Sequence, residues 1–187
     1  MQAVQRDRPL CRDPPPSLTH VKAINGRGGR ESVVTLLNHA MSVTSPLQDH
    51  HHHCDALFAI AERTAADGAW GPCTASFSAF STQMELHFRA EEDILFSAYE
   101  AATGSAQGPT QVMRMEHEQM RGLLRRMALE LAVRDAESFG GDAETLLILM
   151  QQHKMKEECM LYPLCDRSLD EKVAQVVADR VEAAWAE

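Results

Sequence analysis

The stretch His87-Phe88-Arg89-Ala90-Glu91-Glu92-Asp93-Ile94-Leu95-Phe96 returns 66 residues later as His153-Lys154-Met155-Lys156-Glu157-Glu158-Cys159-Met160-Leu161-Tyr162. The shared pattern is His-x3-Glu-Glu-x2-Leu-aromatic. Residues four apart on an α-helix rise about 6 Å and stay on one face, so each copy presents a histidine and a glutamate together. Outward from the first copy, Phe77, Phe80, Met84, Leu95 and Ala98 extend the same face at three- and four-residue steps. Around the second copy Leu146, Met150, Met160 and Leu164 do so. That period is helical, and both copies sit where an apolar stripe belongs.

Two further stripes share the period. One is Met113, His117, Met120, Leu124, Met127 and Leu131. The other is Leu47, His50 or His51, Cys54, Leu57/Phe58, Ala61 and Ala65. Punctuation residues separate four helices. Ser45 with Pro46 and Gln48 reads as a capping box opening the first helix, which Gly68 ends. Gly71-Pro72 reads as a turn before a second helix over about 74–103, closed by Gly104. Gly108-Pro109 opens a third, lasting to about Ala136. Gly140 and Gly141 are expected to break the chain, with Asp142 capping a fourth helix that Pro163 interrupts. Ser168 with Glu171 reads as a capping box for a tail helix bearing Val173, Val176, Val177 and Val181. Strand signals are absent. The expected fold is all-α: an up-down-up-down four-helix bundle with a short C-terminal helix.

Each long helix thus puts a histidine on its apolar face, and two add a glutamate. A lone ionised carboxylate in a core is very costly unless paired, protonated or metal-bound. No Lys or Arg lies on these stripes to pair with Glu91 and Glu157. Imidazole and carboxylate together suit divalent first-row metals, and two carboxylates can bridge ions ~3.5–4 Å apart. Candidate ligands are His50 or His51, His87, Glu91, His117, His153 and Glu157. Two divalent ions with two carboxylates leave a positive centre, which an oxo or hydroxo bridge would reduce. These ligands saturate neither ion, so a small molecule can bind. The methionines of the stripes (Met113, Met120, Met127, Met150, Met160) read as core. Glu92, Glu116 and Glu158 are candidates for orienting imidazoles, solvent-facing placement being the plainer reading. Tyr162 and Tyr99 are candidates for the pocket wall, core packing being the plainer reading.

Composition narrows the setting. The chain has 187 residues and a net charge of −9, an acidic balance that argues against nucleic acid as partner. No apolar run approaches the ~18 residues of a membrane span, and no secretory signal is expected. Five cysteines, odd in number and irregularly spaced, suit a reducing cytoplasm better than a disulfide framework. Residues 1–40 carry six Lys/Arg against three Asp/Glu, while the remainder carries 12 against 24. With Pro14-Pro15-Pro16 and Gly26-Arg27-Gly28-Gly29, this composition forms a poor core. Residues 1–44 are therefore expected to be a disordered extension and residues 45–187 the domain. Met41, just before the first helix, is a candidate translation start.

The motifs His87-Phe88-x2-Glu91-Glu92, Glu116-His117-Glu118 and His153-x3-Glu157-Glu158 with Leu161-Tyr162-Pro163 resemble the hemerythrin-like, HHE cation-binding family, over about residues 47–166. The resemblance implies a four-helix bundle around a non-haem di-iron centre. It implies two iron ions held by His87, Glu91, His117, His153 and Glu157. On the first helix it favours His51, followed by Cys54, Asp55, Leu57 and Phe58 as in family members, with His50 second. Oxygen-carrying hemerythrins have His-x3-His in the third helix and His-x4-Asp in the fourth. Here Met113 and Arg121 flank His117, and His153 is followed by Glu157. A set of four His and two Glu is more similar to di-iron proteins linked to nitric oxide and iron–sulfur repair. Those usually carry adjacent N-terminal cysteines, whereas residues 1–40 offer only Cys11. The Glu-x-x-His of ferritin-like bundles is absent. The expected function is cytoplasmic binding of a small diatomic, nitric oxide or dioxygen. The alternatives are a redox enzyme acting on peroxide or damaged iron centres, and a metal-free helical interaction protein.

Overall fold

Helix ends fall where the backbone turns left-handed. Gly68 (φ 68°) follows the first helix and Gly104 (φ 69°) ends the second rod, positions where a Cβ would be strained. The computed structural model describes residues 42, 44–183 and 185, within the unit Met41–Glu187. The extension expected over residues 1–44, Ser42 and Thr44 apart, and the candidate start at Met41 lie outside the described residues. Among the described residues every regular element is helical: α1 (Ser45–Ala66), α2 (Trp70–Ala90), α3 (Phe96–Thr103), α4 (Pro109–Val133), α5 (Ala136–Lys156), α6 (Tyr162–Ser168) and α7 (Glu171–Ala183). Two π turns, Glu91–Leu95 and Glu157–Leu161, join α2 to α3 and α5 to α6. The expected all-α bundle is present: α1 packs on α2 and α5, α4 packs on α5 and α2, and α7 leans on α1 and the first π turn.

Several helix boundaries differ from the sequence expectation, each for a local reason. The first helix starts after Thr44, with Ser45 inside it. The Ser42 and Thr44 hydroxyls donate to Asp166 Oδ2 at 2.8 and 3.2 Å, so the expected capping box does not form. Gly71-Pro72 is no turn but lies in the first turn of α2, where a missing N–H costs no intrahelical bond. Gly140 and Gly141 do not break the chain. Asp135 accepts from the Ser138 N–H at 3.1 Å and starts α5 earlier, and buried Phe139 and Ala143 hold the glycines in helix. Asp142, expected to cap, instead pairs with Arg126. Asp170, not Ser168, caps α7 by accepting from the Val173 N–H at 3.0 Å, because Leu169 is extended. On α7 the buried face is Val177, Ala178 and Val181, leaving Val173 and Val176 exposed.

The π turns position the site. The Phe96 N–H reaches the Glu91 carbonyl and the Tyr162 N–H reaches the Glu157 carbonyl, five residues back in each case. The wider turn directs two successive side chains inward, Leu95 with Phe96 and Leu161 with Tyr162. It also lets the rod pass through Pro163, which was expected to interrupt it. The extra residue moves the stripe, so Met160 is 63% exposed and Leu164 half-buried, with Leu161 and Cys165 buried in their stead.

Two apolar clusters result. The first gathers Cys54, Phe58, Phe77, Phe80, Met84, Phe88, Met120, Met127, Phe139 and Met150 among others. The second gathers Leu47, Leu95, Phe96, Met113, Leu161, Tyr162, Val177 and Val181 among others. Along α1 and α4 the chain passes from the second cluster through histidine to the first. Along α2 and α5 it passes the opposite way.

Candidate metal centre

At the four crossings between these clusters, polar side chains replace apolar ones. His51, His87, Glu91, His117, His153 and Glu157 are all buried, Glu91 and Glu157 at 0% exposure. One ligand atom each from Glu91, His117, His153 and Glu157 lies within 4.8 Å of the others, and likewise for His51, His87 and Glu157. The six residues expected from sequence therefore come together as two lobes sharing Glu157. Its Oε1 lies 2.8 Å from His153 Nε2 in one lobe, and its Oε2 lies 3.2 Å from His51 Nε2 in the other. Glu91 Oε2 lies 3.2 Å from His117 Nε2 and 3.6 Å from His87 Nε2. Among the described residues, the ion-pair partners of both glutamates are histidines.

The imidazoles are oriented from behind. Nδ1 of His117 lies 2.7 Å from Glu92 Oε1, that of His153 2.9 Å from Glu116 Oε2, and that of His51 2.8 Å from Glu158 Oε1. A carboxylate accepts, so each Nδ1–H donates and each Nε2 faces the centre. The plainer expectation for these three glutamates, solvent-facing placement, does not hold. Arg121 further pairs with Glu92, and Lys156 with Glu116. His50 is buried but belongs to neither lobe: its Nε2 lies 2.9 Å from Gln83 Oε1 and its Nδ1 3.2 Å from Nδ1 of His87, while His52 and His53 are exposed.

Tyr162 is the residue that sequence reasoning undervalued. Its hydroxyl donates to Glu91 Oε1 at 2.6 Å and stands 3.5 Å from Glu157 Oε2 and His51 Nε2. The signal was in the repeat: Phe96 and Tyr162 occupy equivalent positions, and one alone carries a hydroxyl. Tyr99 packs against the second apolar cluster instead.

Electrostatics follow the geometry. Burial disfavours a charged His51 or His153, but the facing carboxylates outweigh it and raise them to about 9 and about 10. His117 is raised by Glu91 and Glu92 against the same burial. Burial pushes His87, which has no carboxylate behind it, well below the usual histidine value. Burial also resists ionisation of Glu91, yet His87 and His117 hold its carboxyl well below the usual range. Burial also raises Glu92, yet His117 and Arg121 together bring it down to about 2. Within the cluster, three buried atoms have no hydrogen-bond partner: His87 Nε2, Glu91 Oε2 and Glu157 Oε1. Buried polar atoms are rarely left so. Imidazole nitrogens and carboxylate oxygens at this spacing are the donor set of a divalent first-row metal, so the residues fit one.

No curated protein matches the chain. The hemerythrin HHE cation binding domain family matches residues 42–165, spanning all four rods and every residue of the cluster. A helical bundle with a buried His/Glu cluster able to hold metal, matched over most of its length, makes this chain a member of the hemerythrin HHE cation-binding family.

Proposed function

We propose that this chain is a cytoplasmic non-haem di-iron protein that binds a small diatomic ligand, nitric oxide or dioxygen. His51, His87, His117 and His153 are assigned as terminal ligands and Glu91 and Glu157 as bridges between two irons. The observation that carries this reading is the shared glutamate. Glu157 offers one oxygen to each lobe, and Glu91 Oε2 reaches towards a histidine of each. When bound, ferrous ions supply electrons and coordination positions for a diatomic. The protein supplies the rest. Glu92, Glu116 and Glu158 hold Nδ1–H of three imidazoles, so their Nε2 lone pairs face the metal. A pocket lined by His51, His87, His153 and Lys154 also includes Cys54, Met84, Phe88, Met120 and Met150. The apolar part of this wall suits a neutral diatomic.

The test is a metal count with an optical spectrum of the reduced protein, before and after nitric oxide and after oxygen. Two irons per chain and a spectral change with one of the gases are expected. Protein purified without an affinity tag and free of metal would defeat the reading. Glu91→Ala is expected to hold less than one iron per chain, and full occupancy would contradict the bridging role. A second reading, redox turnover of peroxide, draws on the buried Tyr162 hydroxyl, a hydrogen-bond donor to Glu91. Multiple-turnover peroxide consumption would favour it over reversible binding.

A further inference from the structure

Four backing contacts close a cycle around the site. Glu92 on the first π turn accepts from His117 of α4. Glu116 on α4 accepts from His153 of α5. Glu158 on the second π turn accepts from His51 of α1. Each backing group is the sequence neighbour of a site residue and serves the histidine of the next rod. The fourth link, from α1 to α2, is made by His50, neighbour of His51, whose Nδ1 lies 3.2 Å from Nδ1 of His87. Three places of the cycle hold a carboxylate and the fourth holds an imidazole.

Gln83 fixes the sense of that fourth link. Its Oε1 accepts and lies 2.9 Å from His50 Nε2, so His50 Nε2 carries the hydrogen. Neutral His50 then offers the lone pair of Nδ1, and His87 Nδ1–H donates to it. The lone pair of His87 is left on Nε2, the atom without a hydrogen-bond partner. The Trp185 indole lies over His50, ring centroids 4.3 Å apart and planes within 2°. His87 is thus oriented like the other three, but by a neutral acceptor. A carboxylate behind an imidazole raises its basicity as a ligand, and a neutral imidazole does so less.

We propose that His50 is a positioning residue that ranks the two lobes. The lobe of Glu91, His117, His153 and Glu157 fills first, and the lobe of His51, His87 and Glu157 fills second and more weakly. The inference rests on the metal-binding reading above and goes beyond it. Both imidazoles of the first lobe are carboxylate-backed, against one of the two in the second, and Glu91 Oε2 lies nearer His117 of the first, at 3.2 Å, than His87 of the second, at 3.6 Å.

The test is anaerobic cobalt(II) titration of the full chain carrying Trp70→Phe, which leaves Trp185 as its single tryptophan. Two steps at least about tenfold apart are expected, with most of the quenching of Trp185 emission in the second. His50→Leu is expected to weaken the second step by about 10–100-fold and to spare the first. His50→Glu, which completes the ring of carboxylates, is expected to tighten the second step and narrow the gap. Should His50→Leu not fold, Gln83→Leu at its half-buried position frees the His50 tautomer and is expected to weaken the second step alone. A single affinity for both equivalents, quenching with the first, or equal weakening of both steps in His50→Leu would overturn the proposal while leaving the metal centre standing. A wild-type chain that binds no cobalt would overturn the metal-binding reading, and this proposal with it.

Discussion

Glu91 divides its two oxygens between different tasks. Oε1 accepts from the Tyr162 hydroxyl, while Oε2 stands between His87 and His117 without a hydrogen-bond partner. Tyr162→Phe keeps the ring in the second apolar cluster but takes the donor from Oε1 in a fully buried setting. The expected cost in metal-free protein is about 1–3 kcal/mol, the penalty for a buried acceptor left unmet, read as a lower urea midpoint with unchanged slope. At this scale the inner residues were legible because a histidine or glutamate on an apolar stripe is too costly to be incidental. Glu92, Glu116 and Glu158 were not. Each lies one position from an inward residue, about 100° around the helix, where a surface glutamate is the ordinary expectation. What brings them in is the neighbouring rod, whose histidine comes within 3 Å. A stripe drawn on one helix carries no record of the next.

The two π turns are the elements on which the site depends. They begin at Glu91 and Glu157 and repeat at the spacing of the sequence repeat itself. In the first, Ser97 Oγ and Arg114 both donate to the Glu92 carbonyl, at 3.1 and 3.0 Å. The wide turn already absorbs one residue, so a further alanine inserted after exposed Asp93 would rotate the residues after it by about 100°. Leu95 and Phe96, both 0% exposed, would then leave the second cluster. Each such side chain contributes about 1.5–3 kcal/mol when buried. The insertion is expected to cost at least about 3 kcal/mol by urea unfolding, whereas an Asp93→Ala control should lie close to wild type. The four rods were legible from period and punctuation, and the π turns were not. A fixed helical period pointed inward at Met160 and Leu164, and the one-residue shift was visible only as paired Leu-aromatic positions after each Glu-Glu. Gly140 and Gly141 misled for a related reason. Intrinsic propensity costs about 1 kcal/mol per glycine, less than the burial of Phe139 beside them returns.

Across the whole molecule, one polar layer separates two apolar clusters, and its charge state links metal, protons and stability. In metal-free protein the carboxylates are balanced by protons on His51, raised to about 9, and His153, raised to about 10. A histidine raised on folding stabilises the native state fully below its ordinary value of 6.5 and loses that contribution as pH rises through its folded value. Between 6.5 and about 9 the folded metal-free chain therefore binds more protons than the unfolded chain, and its melting temperature is expected to fall as pH rises. Metal reverses the sign. Ligand imidazoles must be deprotonated, so loading releases protons and strengthens with pH, and the loaded chain is expected to gain melting temperature over the same interval. The check is a pair of thermal series across that range, one with chelator and one with saturating iron under anaerobic conditions. Calorimetric loading in two buffers of different ionisation enthalpy would count the protons set free. Parallel slopes, or loading without proton release, would mean that the histidines of this layer are not the groups that exchange protons for metal. The cross-over itself was foreshadowed by sequence, since two buried glutamates without Lys or Arg require some cation. The protons that stand in for it follow from distances of 2.7–2.9 Å that no spacing rule supplies.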